Sequence, residues 1–196
     1  MLGRVRNERI SHMTSDKYKK YVIRSLRKCE TNLLKDFLYE AIFIPKGAEP
    51  PARDIIEKPE LRVYTDDFGI RKGDNCLVAD FGGKAIGAIE LKLNGHTDMT
   101  DRDDECEMGY WLGKPFWGQG IMPEAVMEML RHAFEDCGMQ KVWIGYYEGN
   151  NKSKRVQEKC GFMYQWRSED VDVPLMHEKR TGHVSLMTKE DWMAER

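Results

Sequence analysis

The chain has 196 residues, 41% of them hydrophobic and 33% charged, and its formal net charge is -2. This length suits one domain with a sizeable core. The near-neutral charge argues against bulk affinity for nucleic acid or for an anionic membrane. No apolar run approaches the roughly 20 residues that a membrane-spanning helix requires. We therefore expect neither nucleic acid nor a membrane as a partner.

The cysteines and the chain ends indicate a compartment and a domain boundary. Five cysteines are scattered without metal-ligand spacing, so we expect no bound metal. No signal-peptide pattern opens the chain, and an odd number of cysteines fits a reducing cytoplasm. Residues 1–16 are polar, basic and unpatterned, which predicts a flexible extension. Residues 17–196 are then expected to form a single domain.

The front of the chain predicts one strand and two helices. Residues 21–26 form an apolar run that predicts the first strand. Apolar residues then recur at helical spacing from residue 32 to about 44, and Thr31 is the expected N-cap. A second helix is expected within residues 53–68, with an uncertain boundary near Pro59.

The central part of the chain predicts a hairpin, a strand and a longer helix. Residues 75–81 and 84–93 are strand-like, and Gly82-Gly83 between them is typical of a hairpin turn. A further strand is predicted at residues 107–112. A helix is predicted from residue 121 to about 137, and Gly138 is suited to end it.

The remaining elements alternate strand, helix and two strands. Residues 142–146 predict a strand, and the short helix after it has Asn150 as its N-cap and Gly161 as its stop. A strand is expected from Phe162 towards residue 167, then an irregular stretch around Pro174. The final strand is expected at residues 183–187; as an exposed strand it could support a homodimer, although nothing in the sequence demands one. Together these elements predict an α/β (α+β) fold, with a mostly antiparallel sheet and helices on both faces.

Two glycines before the predicted long helix indicate a phosphate-binding turn. Gly118 and Gly120 permit positive φ and a close approach of the backbone. The helix that follows offers unpaired N–H groups and the positive end of its dipole. This combination can hold a phosphate or pyrophosphate without a lysine. Alone, however, two glycines before a helix are a weak signal.

A second segment makes the signal specific. The turn reads Trp-Gly-x-Gly-x-x-x-Glu-Ala from Trp117, and the later helix reads Asn-x-x-Ser-x-x-x-x-Glu-Lys-x-Gly-Phe from Asn150. With this separation the sequence resembles the GNAT superfamily of acyl-CoA-dependent N-acetyltransferases, and more narrowly the ribosomal-protein N-terminal acetyltransferase subgroup. That likeness is dense over residues 89–192. Residues 33–68 resemble the front of a different GNAT branch, which leaves the acceptor open.

The resemblance implies a cofactor, a sheet distortion and a set of binding residues. The cofactor is acetyl-CoA, and the fourth and fifth strands splay apart to pair main-chain groups with its pantetheine arm. Gly109 is our candidate for a bulge that starts the splay. The cofactor-binding residues implied are Trp111, Leu112, Trp117, Gly118, Gln119, Gly120, Ile121, Met122, Asn150 and Ser153.

Two residues are candidates for the chemical step. The resemblance puts Asn150 and Ser153 at cofactor-contacting positions, from which the Ser153 hydroxyl could protonate the departing thiolate; the alternative is that both residues only cap the helix. Glu107 is the preferred acceptor of the amine's proton, and the alternative is an ordinary surface glutamate. Three cations on the same helix as Ser153 could screen the cofactor's phosphates or simply face solvent: Lys152, Lys154 and Arg155.

The sequence therefore predicts an N-acetyltransferase in which a primary amine attacks acetyl-CoA directly within a ternary complex. The expected acceptor is either a protein N-terminus or a small-molecule amine. No cysteine has a convincing nucleophile setting, so no acyl-enzyme is expected. The alternative is a CoA-binding module of the same fold that has lost turnover and acts as a sensor or interaction domain.

Overall fold

The computed structural model describes residues 20–59, 61, 65, 75–93, 97, 99–173 and 177–194. The extension predicted for residues 1–16 lies outside the described residues, as does Pro174. Within the described part, seven strands form one sheet that is accompanied by four α-helices.

The first four strands form an antiparallel meander. They are β1 (Tyr21–Ser25), β2 (Asn75–Phe81), β3 (Lys84–Lys92) and β4 (Glu105–Leu112). Gly82 and Gly83 join β2 to β3 with φ angles of 62° and 86°, values that favour glycine. The hairpin predicted from these two glycines is therefore confirmed.

The other three strands complete the sheet in an order that differs from their order in the chain. They are β5 (Lys141–Tyr147), β6 (Met163–Val173) and β7 (Glu178–Thr188), and the sheet order is β1-β2-β3-β4-β5-β7-β6. Only β4 and β5 pair in parallel, and every other neighbouring pair is antiparallel. The predicted, mostly antiparallel sheet is confirmed.

Helices cover both faces of this sheet, as predicted. They are α1 (Leu33–Ala41), α2 (Ile121–Arg131), α3 (Asn151–Lys159) and α4 (Lys189–Ala194). Side chains alternate along β4, so Trp111 lies on one face and Met108 on the other. Phe37 of α1 stacks on Trp111 with 4.6 Å between ring centroids. Met108 belongs to the main core together with α2.

The α2 helix forms because its apolar residues recur at helical spacing. Val126, Met129 and Leu130 have no exposed surface, and full burial of such side chains stabilises by about 1.5–3 kcal/mol each. The helix continues into a π-helical turn, His132–Asp136, and Gly138 follows with φ of 72°. The predicted extent is confirmed, although its last turn is wider than an α-helix.

The front of the chain contains two differences from the prediction. The first helix ends at Ala41 because Ile42 turns extended, with ψ of 115°. Thr31 is not its cap, since its hydroxyl donates to the Lys28 carbonyl at 3.3 Å. The second predicted helix is only a 3₁₀ turn, Arg53–Glu57, where the structure describes it. Lys58 is extended, as expected for the residue before a proline.

The expectation of an exposed final strand is wrong. The last strand, β7, lies between β5 and β6 and pairs with both of them. It is also longer than predicted, because it begins at Glu178. The strand at this edge of the sheet is β6, so a dimer built on β7 pairing would have no free backbone to use.

Candidate active site

The turn before α2 has the geometry that its glycines predict. Gly118 and Gly120 adopt φ angles of 76° and 80°, and Gly120 is the N-cap of α2. An added Cβ at either glycine would meet nothing within 4 Å. Because Gly120 has no side chain, no cap covers the N–H groups of Ile121 and Met122 from that position. The turn is therefore an open main-chain cradle suited to an anion.

Strands β4 and β5 splay apart, as predicted. Their parallel register runs from Glu105 opposite Lys141 to Glu107 opposite Trp143 and then stops. β4 continues for five more residues, so its main chain beyond Glu107 faces a gap rather than a neighbouring strand. We refer to this gap, bounded by residues 108–112 and 144–147, as the splay.

The direction of the β4 main chain decides which of its groups face the splay. The Gly113 N–H donates to the Ile86 carbonyl at 2.9 Å, so Gly113 faces β3. Because successive residues of a strand direct their polar groups to opposite edges, Trp111 also faces β3. Tyr110 and Leu112 face the splay. Of the two residues predicted to pair main chain with a ligand, only Leu112 is placed to do so.

Gly109 does not form the predicted bulge. The register between β3 and β4 is continuous across the Glu90–Gly109 pair. An added Cβ at Gly109 would lie 3.0 Å from the Glu90 carboxylate. The missing side chain thus leaves room for Glu90, and the splay begins simply where the β4–β5 register ends.

Trp117 links the cradle to the end of the splay. Its indole N–H donates to the Leu112 carbonyl at 2.6 Å. The Lys152 ammonium lies 3.4 Å from the centre of the same indole ring, a cation–π contact. Lys152 is therefore the cation of α3 that lies beside the cradle. Its neighbours Lys154 and Arg155 instead lie 3.9 Å and 3.7 Å from Glu158.

The N-terminus of α3 separates the roles of Asn150 and Ser153. Asn150 accepts a hydrogen bond from the Ser153 N–H at 3.2 Å, which confirms Asn150 as the N-cap. The Ser153 hydroxyl takes no part in capping and lies 2.9 Å from the Tyr110 hydroxyl, on β4. Capping therefore leaves this hydroxyl available for a second role.

Tyr110 is the residue of this site that sequence reasoning missed. Its hydroxyl lies against Ser153, 43 residues away in the chain, and burial raises the pKa of Tyr110 to about 12. Strand alternation places it on the same face as Met108, which gives it no signal distinct from a core aromatic residue. Only the contact between α3 and β4 reveals its partner.

Glu107 is buried, and it is paired rather than exposed. Its side chain accepts from the Lys92 ammonium at 2.9 Å and from the Thr97 hydroxyl at 3.0 Å, and the residue is 8% exposed. It is the last β4 residue that pairs with β5. Its side chain lies on the opposite face of the sheet from Tyr110. Ser153 and Glu107 therefore approach the splay from opposite faces.

The described residues contain no group of three or more His, Cys, Asp or Glu side chains that could hold a metal ion. A search of the same residues for a membrane-crossing helix, which must be long and apolar, finds none.

Comparison with known proteins places the chain in a family. The model of the acetyltransferase (GNAT) domain matches residues 49–163. YdaF of Bacillus subtilis (strain 168), assigned by name to the ribosomal N-acetyltransferases, is 34% identical over 145 residues, covering 74% of this chain and 73% of YdaF. The chain therefore belongs to the GNAT acetyltransferases and is an N-acetyltransferase, an enzyme class that transfers acetyl groups to amines.

A second relative is similar in sequence, and two solved structures are similar in fold. FsC-acetyl coenzyme A-N(2)-transacetylase of Aspergillus fumigatus is 30% identical over 149 residues, 67% of this chain and 63% of that protein. The fold matches ribosomal-protein-S5-alanine acetyltransferase from Vibrio fischeri with a TM-score of 0.67 and 16% identity, covering 90% and 97% of the two chains. A variant of spermidine N-acetyltransferase SpeG from Vibrio cholerae matches with a TM-score of 0.66 and 14% identity, covering 90% of this chain and 98% of that structure.

Proposed function

We propose that this enzyme transfers an acetyl group from acetyl-CoA to a primary amine, by direct attack in a ternary complex. The observation that carries the proposal is the open cradle at Gly118 and Gly120, which leads into the splay. The cradle suits the pyrophosphate of coenzyme A because its donors are main-chain N–H groups at a helix N-terminus. Lys152, beside the cradle, adds a positive charge for the phosphates.

The splay suits the amide-bearing pantetheine arm. Polar groups of Tyr110 and Leu112 on β4 face it, and they resemble the edge of a sheet that accepts an added strand. The Leu112 carbonyl already accepts from Trp117, but a carbonyl oxygen has two lone pairs and can accept a second hydrogen bond. The proposed cofactor residues Ile121, Met122 and Asn150 lie at the N-termini of the two helices that border this path.

In the proposed chemical step, Ser153 and Glu107 act from the two faces of the splay. The amine nitrogen attacks the thioester carbonyl carbon, a C–N bond forms and the C–S bond breaks. The departing sulfur takes a proton from the Ser153 hydroxyl. Glu107, which is ion-paired with the Lys92 ammonium at 2.9 Å, accepts the proton lost by the amine, directly or through water, and passes it on through water to replace the proton that Ser153 gave up.

Three of the five described cysteines are poorly suited to form an acyl-enzyme. Burial raises the pKa of Cys106 to about 12 and that of Cys160 to about 11. Burial also raises the pKa of Cys137. A thiol that stays protonated at neutral pH is a poor nucleophile. The acetyl group is therefore proposed to pass to the amine in one transfer.

The acceptor is proposed as a class. A protein N-terminus is supported by YdaF, whose name refers to ribosomal acetylation. A small-molecule amine is supported by the second relative, a transacetylase, at 30% identity. The rival function, a CoA-binding module without turnover, shares the cradle and differs only in the chemical step.

The experiment is thiol release from acetyl-CoA, measured with an alanine-initiated peptide, with spermidine and without an amine. We expect release to depend on one acceptor class. Ser153→Ala should lower kcat by about 100-fold, while calorimetry finds CoA affinity unchanged. Glu107→Gln should also lower kcat. The matched control is Ser168→Ala, on β6, which β7 separates from β5.

Each outcome separates the alternatives. CoA binding without thiol release for any acceptor would support the silent module. Full activity of both Ser153→Ala and Glu107→Gln would reject their proposed roles and leave the cofactor site standing. Absence of CoA binding by calorimetry would reject the cradle itself.

A further inference from the structure

A partly buried polar cluster lies where α3 meets the two sides of the splay. Its members are Tyr110 on β4, Ser153 and Gln157 on α3, and the carbonyl of Gly145 on β5. The Tyr110 hydroxyl lies 2.9 Å from the Ser153 Oγ and 3.2 Å from the Ser153 carbonyl oxygen. Gln157, only 2% exposed, directs its Nε2 at the Gly145 carbonyl, 3.2 Å away, and at the Ser153 Oγ, 3.5 Å away.

We propose that Tyr110 is the positioning residue for Ser153: it fixes the Oγ beside the splay and governs where the serine proton is directed. The inference rests on the proposed function, because it assigns Tyr110 a role in the same proton transfer. Tyr110 itself is not proposed to contact the acetyl group. It acts through Ser153.

The proton count in the cluster explains how one hydroxyl can direct another. Tyr110 has one hydroxyl proton and two Ser153 oxygens within reach. If Tyr110 donates to the carbonyl, the Ser153 proton is held by the Tyr110 oxygen. If Tyr110 donates to the Oγ, the Ser153 proton is released towards the splay. Gln157 can only donate from Nε2, so it supports the Oγ without competing for that proton.

The proposed step is balanced. When the C–S bond breaks, the sulfur takes the Ser153 proton, and the Ser153 oxygen takes the Tyr110 proton. Glu107 takes the proton that the attacking nitrogen loses and passes it through water to Tyr110. The net change is one proton moved from nitrogen to sulfur, and all three side chains end as they began.

The β5 side of the cluster keeps it in place. The Glu148 N–H donates to the Thr181 carbonyl at 2.9 Å, so Glu148 faces β7, and strand alternation directs the Gly145 carbonyl into the splay. Gln157 satisfies this carbonyl in the absence of a β4 partner. The α3 helix is thereby anchored to both strands, which fixes the distance between Tyr110 and Ser153.

The test is Tyr110→Phe, which removes one oxygen and keeps the ring. We expect kcat for acetyl-CoA to fall by about tenfold or more, with KM and CoA affinity unchanged. Adding Ser153→Ala should cause little further loss, because residues that act as one unit are not additive. The matched control is Tyr164→Phe, an exposed tyrosine on β6.

A second measurement does not depend on how much of the variant is folded. The thiolate of a more acidic thiol leaves without needing a proton. In Tyr110→Phe, the rate on the acetyl thioester of such a thiol should therefore rise relative to the rate on acetyl-CoA. A purely structural role would lower both rates equally and overturn the proposal. Full additivity with Ser153→Ala would also overturn it.

The outcomes separate this inference from the proposed function. Wild-type kcat in Tyr110→Phe, with Ser153→Ala impaired, would overturn the role of Tyr110 and leave Ser153 as the acid. Wild-type kcat in Ser153→Ala would overturn both roles. Failure of the wild-type enzyme to release thiol with any amine would overturn the proposed function itself.

Discussion

The cradle and the polar cluster both border the splay and are built from different parts of the chain. The cradle is made of consecutive residues, Trp117 to Met122, and its groups belong to the main chain. The cluster is made of side chains on separate elements, and Tyr110 and Ser153 are 43 residues apart. A local backbone conformation is visible in the sequence, whereas a long-range side-chain contact is not.

This difference also predicts how the two regions respond to change. A main-chain site depends on φ and ψ, so only substitutions that alter the backbone should damage it. A side-chain cluster depends on the presence of each polar atom and on burial. It should therefore be sensitive to the loss of a single oxygen and to pH.

The largest expected effect is on the cradle. Gly120→Ala forces a non-glycine residue towards φ of 80°, which costs about 1–2 kcal/mol, so CoA should bind about 10-fold or more weakly by calorimetry. The control is Gly138→Ala, which meets a similar φ of 72° away from the splay. It should lower stability and leave CoA affinity unchanged. Equal affinity in the wild type and Gly120→Ala would show that the cradle does not bind the cofactor.

The second effect sharpens the comparison through pH. Burial raises the pKa of Tyr110 from its ordinary 10.0 to about 12. Above pH 10 the unfolded chain releases this proton first, so the free energy of unfolding falls as pH rises from 10 to 12. At pH 11 the titration of Tyr110 should have lowered the free energy of unfolding by about 1 kcal/mol.

Urea unfolding of the wild type and of Tyr110→Phe at pH 8 and pH 11 measures this loss of stability. The variant should lose less stability between the two values, because it lacks the titrating group. Tyr21, whose pKa burial also raises to about 12, is present in both proteins and cancels. Identical losses would show that Tyr110 is not held protonated by the fold.

The smallest effect concerns a side chain beside the cradle. Lys152→Met removes the cation over Trp117, and we expect the free energy of CoA binding to weaken by at most about 1 kcal/mol, the value of an exposed charge pair. The control is Lys154→Met, whose ammonium lies near Glu158 instead. Affinity should be measured at low and at high salt, because the difference between the two variants should shrink as salt rises. A loss larger than that of Gly120→Ala would contradict a main-chain cradle.

Much of the fold was predictable where local chemistry determines it. Gly82 and Gly83 identify the hairpin, and Gly120 and Asn150 correctly mark the starts of two helices. Periodicity also predicts α2, because a single continuous face of that helix is buried. Thr31 misleads because its hydroxyl serves the turn before it rather than the helix after it.

Other features depend on contacts that no local pattern encodes. The insertion of β7 between β5 and β6 depends on strand pairing between residues that are distant in the chain. Within the candidate site, burial of Glu107 follows from the folded sheet, and so does its ion pair with Lys92, 15 residues earlier. Tyr110 has the pattern of a core residue, and its hydroxyl gains a role only through α3.

The strand order has a consequence for synthesis of the protein. Because β5 pairs with β7 and not with the earlier β6, the edge of β5 stays open on the ribosome until residues 178–188 emerge. An open edge can pair with other chains. Nascent chains that stall before residue 178 should therefore be the species most prone to aggregate and most in need of a chaperone.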